Sequence, residues 1–370
     1  MLKSYLVTAV FGLFIFGALL LNLILPDPDI LQSERRMPAA FPEFTVKSFV
    51  SAEYMEKTGK YFTDNFIFRD FFRTVRAICV FDIFMQTDKG GLFNDLNTGA
   101  GKFEKSNEAS IIKAADKIQK LSGFFPNSDI YLAVIPDKTI YTRRYFPGFD
   151  AAKTKRILSG GTDGISFIDL ADVMSGEDFY RTDIHWDQPR LIREGGVLDA
   201  LCAGMALPDF SGVNFTVSTA GKFFGVYKGQ LSLPLASDVM AYVTNDISQD
   251  AEIYYFNPAA DAWESGVFYD LSAVNGRDPY DLFLGGVQPL IKIKNPNSKT
   301  DRQLYLFRDS FGSSLAPLLA FAYAEITVID MRYIDSRILW QYIDFADENA
   351  DVLFLYSSQI LNNPDVLLVN

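Results

Sequence analysis

A chain of 370 residues with one histidine can place a histidine base in only one spot. That residue is His185, in Thr182-Asp183-Ile184-His185-Trp186. A carboxylate two positions away can accept the imidazole N–H and hold one tautomer. In an extended loop, residues i and i+2 point to the same side, so Asp183 can reach the ring. Ser310 lies in Phe307-Arg308-Asp309-Ser310-Phe311-Gly312, directly after an apolar run and before a helical stripe. Such a strand–turn–helix junction is where α/β hydrolases expose a nucleophilic serine. The helix start offers backbone N–H groups to an oxyanion. Asp183, His185 and Ser310 therefore supply an orienter, a base and a nucleophile. Each also has a plainer reading: His185 as a structural histidine on a local carboxylate, and Ser310 as a helix cap.

The elements that would position these residues read as alternating β and α. Asp129 to Ile135 (DIYLAVI), Gly164 to Leu170, Gln303 to Phe307 (QLYLF), Glu325 to Asp330 (EITVID) and Asp351 to Tyr356 (DVLFLY) read as buried strands. Ile111, Ala114, Ala115, Ile118 and Leu121 mark one helix face, with Gly123 as its stop. Leu315, Leu318, Leu319 and Ala322 mark another. Asp187 and Pro189 open a helix expected to run to about Met205, and a polar helix is expected near Ser336 to Phe345. Residues 207–289 differ: short apolar runs such as Val239 to Val243 and Ile253 to Phe256, broken by turn residues, read as a β-rich insertion. The fold class expected is α/β, with a mainly parallel sheet covered on both faces.

Tyr5 to Leu25 holds 21 residues without a charge, enough to cross a bilayer core of about 30 Å. Lys3 precedes it, and Asp27 and Asp29 follow. A short N-terminus inside and a long body outside fit this flank pattern. A cleaved signal peptide would carry a shorter apolar region and a small-x-small site, so an uncleaved signal anchor is expected. Pro26 to Pro42 reads as an extended stalk, and Phe68, Phe71, Phe72, Val75, Ile78 and Cys79 recur at helical spacing beyond it. The domain plan is thus 1–25 anchor, 26–105 stalk and helical lead-in, and 106–370 the folded body.

A net charge of −12 argues against nucleic acid as a partner, since phosphate binding needs a basic surface. Cys79 and Cys202 could pair in an exported protein or remain two buried thiols. No Cys/His cluster of the kind that binds zinc exists, and no cofactor is expected.

The ordered set SERRMPAAFPEF (33–44), YFTDNFIFRD (61–70), the Gly-Gly-Leu-Phe turn (90–93), VIPDK with Tyr141, YRTDIHW (180–186), FRDSFGSSLAP (307–317) and IDMRYI (329–334) resembles the DHHW proteins and the related alginate O-acetyltransferase group. The likeness covers most of the chain and implies an SGNH-hydrolase-like three-layer body. By position it implies that Asp183 and His185 are orienter and base and that Ser310 is the nucleophile. The serine follows the Asp-His pair, the permuted order of the acetyltransferase group. Of the two histidines in the name motif, the first is Ile184 here. The acetyltransferase group itself keeps only Asp-x-His. An SGNH glycine–asparagine oxyanion pair has no counterpart that can be placed; the Ser310 N–H is the donor expected.

Lys138 and Arg332 each follow a strand end, where a groove would lie, and are candidates for substrate contact or for structural ion pairs. Tyr141 joins them, as does Trp186, which could stack on a sugar or pack as core. The function expected is a serine-dependent O-acyl transferase or esterase on a cell-surface or secreted polysaccharide. By resemblance, acetyl is the cargo and a membrane acyltransferase is a possible donor. The other class is a non-catalytic binding or scaffold component of an envelope assembly, and a weaker third is a purely structural envelope protein.

Overall fold

The computed structural model describes residues 2–31, 33–142, 148–247, 250–345 and 350–370. It contains two compact units, one of residues 1–89 with 228–235, the other of 90–227 with 236–370.

The second unit is built on an eight-stranded sheet. In chain order its strands are β1 (Asp129–Ile135), β2 (Ser166–Asp169), β3 (Glu252–Asn257), β4 (Ala262–Ser265), β5 (Leu290–Lys294), β6 (Gln303–Arg308), β7 (Glu325–Ile329) and β8 (Ala350–Ser357). Across the sheet they run β2-β1-β8-β6-β7-β5-β3-β4. The strands from β2 to β7 pair in parallel. The remaining three join as an antiparallel edge.

Every residue of β8 is buried, and it sits between β6 and β1. That explains its unbroken apolar sequence: a strand with both faces covered has no solvent side to make polar. Alternation along β6 sorts its side chains into two cores. Leu304 and Leu306 pack with Leu201, Leu315 and Leu319 on one face. Tyr305 and Phe307 pack with Ile111, Ile118 and Leu121 on the other. The Phe311–Leu319 and Val197–Gly204 helices cover the first face, and Glu108–Ser122 covers the second.

Three expectations for the second unit need correction. The β-rich stretch of 207–289 is not one lobe. Its β3 and β4 extend the main sheet, and only Thr216–Phe223 and Asp238–Thr244 form a separate hairpin, with a bulge between Thr219 and Gly221. The helix expected from Asp187 to Met205 is broken into Gln188–Leu191 and Val197–Gly204. Gly195, at φ +65°, takes a left-handed conformation in the turn between the two pieces. The expected helix near Ser336 to Phe345 shrinks to a 3₁₀ segment, Ser336–Gln341.

In the first unit, Leu2–Ile24 is a helix whose Tyr5–Asn22 stretch is long and apolar enough to cross a membrane. The stalk is not extended. Leu31 and Arg36 bridge across a turn. Arg36 then grips Asp64 through two hydrogen bonds, at 2.6 and 2.7 Å. Proline content alone pointed to an extended chain, but a buried carboxylate partner outweighs that local preference. Cys79 and Cys202 are both free thiols.

Candidate active site

Ser310 follows the carboxyl end of β6 and begins the Phe311–Leu319 helix. Its backbone is already helical (φ −58°, ψ −26°), and its side chain makes no capping bond. The hydroxyl is bonded instead to His185, with Oγ 2.8 Å from Nε2. The other ring nitrogen, Nδ1, lies 2.6 Å from Asp183 Oδ1. Ser310 and an Asp-x-His pair 125 residues before it thus form one hydrogen-bonded line. The plainer readings of His185 and Ser310, a lone structural histidine and a cap, do not account for the Ser310–His185 bond.

Asp183 is held from both sides. Its Oδ1 also accepts the His185 backbone N–H at 3.1 Å, and its Oδ2 accepts the Val226 N–H at 2.8 Å. The approach of Val226 requires the glycine before it. A Cβ on Gly225 would lie 2.2 Å from the Thr182 carbonyl oxygen and 2.4 Å from Asp183 Cβ. On the opposite side, Gly99 (φ +74°) lets Ala100 donate to the Arg181 carbonyl at 2.6 Å. Asp238 completes the clamp: it accepts the Arg181 N–H at 2.9 Å and the Thr182 N–H at 2.8 Å.

The imidazole is also packed edge and face. The Tyr280 ring stacks on it at 3.7 Å between centroids and 11° between planes, and Phe311 lies 4.9 Å away. Tyr280 in turn shares Ser314 Oγ with the Trp186 indole N–H, at 2.9 and 2.7 Å. Asp309 braces the serine turn: it accepts the Phe311 N–H at 3.1 Å and the Ser357 N–H at 2.8 Å. The Gly312 N–H goes to the Asp309 carbonyl at 3.1 Å. The Phe311 and Gly312 amides are therefore taken, and the Ser310 N–H has no hydrogen-bond partner among the described residues.

The four expected substrate contacts separate. Trp186 is fully buried against Phe311, so it has no ring face to offer a sugar. Lys138 is also buried, and its ammonium donates to the carbonyls of Ala100 (2.7 Å), Tyr180 (2.9 Å) and Asp183 (3.0 Å). Its three N–H bonds are all used, so it binds the loop that carries Asp183 rather than a substrate. Burial pulls its pKa down to about 8, against the pull of nearby Asp183 and Asp137. Tyr141 packs on Phe179 and donates to the Ala171 carbonyl at 2.9 Å. Arg332 forks onto Asp330 at 2.6 and 2.8 Å, a carboxylate that also takes Arg308, yet 23% of its side chain remains exposed. Among the described residues, no group of three or more His, Cys, Asp or Glu side chains could hold a metal ion.

Sequence reasoning missed Tyr280, Asp238, Lys138's true role and the Gly225–Val226 amide. Each acts through a contact with a residue distant in the chain, so no local spacing could have shown it. Asp309 was the exception: its place beside Ser310 was visible, although its task was not.

No protein-family profile and no curated protein sequence matches the chain. Solved structures do. A DHHW family protein from Eubacterium siraeum superimposes with a TM-score of 0.56 at 18% identity, over 75% of this chain and 94% of that one. PatB1 from Bacillus cereus gives 0.57 at 16% identity, over 74% and 97%. The same protein carrying a sulfonyl adduct gives 0.58 at 16%, over 74% and 96%. The chain therefore has the fold seen in these proteins, an α/β body with a mainly parallel sheet. At these identities the likeness is one of fold.

Proposed function

We propose that this chain is a membrane-anchored, serine-dependent O-acyl transferase or esterase that acts on a cell-envelope or exported polysaccharide, with its body outside the cytoplasm. One observation carries the chemistry: the continuous line from Asp183 Oδ1 through the imidazole to Ser310 Oγ, at 2.6 and 2.8 Å. Support for a carbohydrate ester as substrate comes from the resemblance to the acetyltransferase group and from the shared fold.

In this reading Ser310 Oγ attacks the ester carbonyl of an acyl donor while His185 Nε2 takes its proton. The tetrahedral oxyanion rests on the Ser310 N–H. His185 then returns the proton to the departing alkoxide, leaving an acyl-serine and a free alcohol. A sugar hydroxyl, or water, gives its proton to Nε2 and attacks the acyl-serine. Nε2 returns that proton to Ser310 Oγ as the acyl–oxygen bond breaks, so the serine is released as a hydroxyl and the acyl group leaves on the sugar or as an acid. Asp183 keeps Nδ1 protonated and stabilises the imidazolium. Arg332 is proposed as a contact for the polymer, since its guanidinium is anchored on Asp330 while part of the side chain stays exposed. A membrane acyltransferase as donor remains part of this proposal.

The test uses the full chain in detergent with a small chromogenic acetate ester, beside Ser310→Ala. A sulfonyl fluoride gives a second readout, because it labels an activated serine without needing an acceptor. Turnover and a mass adduct in the wild type, both lost in the variant, support the reading. Equal turnover in the two chains, with no serine-dependent adduct, overturns it in favour of a scaffold role.

A further inference from the structure

The Arg69–Ile78 helix of the first unit is amphipathic in the wrong direction for a protein surrounded by water. Two of its four charged residues, Arg69 and Arg73, face the unit's own interior, while Asp70 and Arg76 on its rims are exposed. Arg69 and Arg73 each lie 2.8 Å from Glu34, and all three side chains are mostly shielded, at 11%, 21% and 16% exposed. Arg73 also donates to the carbonyls of Gly229 and Gln230 at 3.1 and 3.2 Å. Ala77, on the same side, is completely buried. The opposite side is apolar and open: Phe68 is 67% exposed and Phe71 62%, with Phe72 and Val75 between about a third and a half. Past the helix, Ile83, Phe84 and Met85 are highly exposed as well. A helix in water turns its apolar stripe toward the core and its charges outward. Here the ion pairs are inside and the phenylalanines outside, which is stable only where the outer medium is itself apolar.

The position of this arm says what that medium is. The Ile67 N–H bonds the Asn22 side chain at 2.7 Å, near the end of the Leu2–Ile24 helix. Phe72 meets Phe14 with ring centroids 6.4 Å apart. Eight residues separate Asn22 from Phe14, about 12 Å along a helix axis. The arm therefore descends beside the apolar helix to the level of its middle. Leu13, Phe14, Leu21, Ile67, Phe68 and Phe72 line one apolar groove between them. Whatever surrounds Phe14 also surrounds Phe72.

We propose that the face formed by Phe68, Phe71, Phe72, Val75 and Phe84 is a second membrane-contacting surface, seated among lipid acyl chains beside the anchor. The inference rests on the reading of Leu2–Ile24 as a membrane anchor. Arg76 is exposed one turn past Phe72 on the same helix. The arm gives the first unit a broad footing on the bilayer where a lone helix would swivel.

The chain carries its own reporter. Cys79 lies four residues past Val75 and seven past Phe72, on the same stripe, and is partly exposed. Cys202 is buried, and burial pushes its thiol up to about 12, so it stays unlabelled at neutral pH. The full-length protein is labelled with bimane at Cys79 in detergent and reconstituted into vesicles of phosphatidylcholine and phosphatidylglycerol. Quenching by lipids spin-labelled along the acyl chain is then compared with quenching by aqueous iodide. Two further chains, Phe71→Cys and Leu13→Cys in a Cys79→Ser background, place the label elsewhere on the arm and on the anchor itself. About two-fold or greater lipid quenching at Cys79, Phe71→Cys and Leu13→Cys, with little iodide quenching, supports the proposal. Lipid quenching at Leu13→Cys alone, with iodide reaching both arm positions, overturns it and leaves the anchor standing. Arm labels shielded from lipid and iodide alike overturn it in favour of a protein covering that face. No lipid quenching at Leu13→Cys overturns the anchor reading and this inference with it.

Discussion

Two helices of similar length show how differently the two units are built. In the second unit, every residue of Phe311–Leu319 is buried. In the first, Arg69–Ile78 buries only Ala77. The first of these helices finds its apolar partners within the chain, on β6 and the Val197–Gly204 helix. The second leaves Phe71 mostly uncovered and Phe72 and Val75 partly so, with Phe72 meeting Phe14 of the N-terminal helix. Burial by the protein itself supports precise positioning, since close-packed neighbours limit every side chain to one arrangement. That is what a serine held 2.8 Å from an imidazole requires. The outward-facing helix needs no such precision and serves as a surface.

This contrast is sharpest in activity. Ser310→Ala and His185→Ala are each expected to lower acyl turnover by on the order of 10⁴-fold or more. The melting temperature of Ser310→Ala should move little, whereas His185→Ala should lower it, since it removes the ring stacked on Tyr280 and leaves the buried Asp183 carboxylate without its imidazole. A variant that keeps turnover breaks the assignment of the site to this helix start.

Stability comes next. Leu315→Ala, in the completely buried helix, should cost about 2–5 kcal/mol in denaturant unfolding through lost burial and a cavity. If Leu315→Ala is harmless, the helix does not depend on internal packing and the contrast fails.

A smaller loss is expected at the clamp. Lys138→Met should lower kcat by roughly 10–100-fold with little change in KM, since three carbonyls of the surrounding loops lose their donor. Its pH dependence has a defined sign. The folded pKa of about 8 lies below the ordinary lysine value of about 10.4, because burial disfavours the ammonium. Between these values the unfolded chain holds the proton and the folded chain sheds it. Wild-type stability relative to Lys138→Met should therefore rise with pH across that window and stay constant below it. Unfolding midpoints of both chains at neutral and alkaline pH check this; a flat difference means the amine keeps its proton throughout.

The smallest effect is expected on the other unit. Phe71→Ala in detergent should change unfolding stability by less than about 0.5 kcal/mol, because most of its ring is already uncovered by protein. A loss comparable with that of Leu315→Ala would show that the face is covered by the chain after all.

Much of this was legible from residue order. The five strands β1, β2, β6, β7 and β8 were read with bounds within two residues, because a short unbroken apolar run between turn residues is the pattern of a strand covered on both faces. β3 was read as well, but its membership of the main sheet was not, since register between distant strands leaves no local trace. The broken helix after Asp187 was missed because apolar spacing continues across Gly195 and Gly196 while the backbone does not. Ser310, His185 and Asp183 could be picked out by type and scarcity. Their joining could not, for 125 residues separate the serine from the histidine.

Sequence alone therefore determined the chemistry available: one histidine, a carboxylate two residues before it, a serine at a strand end, and an uncharged N-terminal stretch. It determined the α/β alternation too, because periodicity is a local property. Tertiary structure decided which polar groups face inward. Lys138 and Trp186 sit at equally promising places in the sequence, yet both are sealed, one by three carbonyls and the other by Phe311 and Ser314. It also decided that Arg69 and Arg73 of the 69–78 helix point in while Arg76 and the phenylalanines are exposed. Helical spacing marks an apolar stripe but not its direction, which is set by whichever surroundings, protein or lipid, take the larger apolar area out of water.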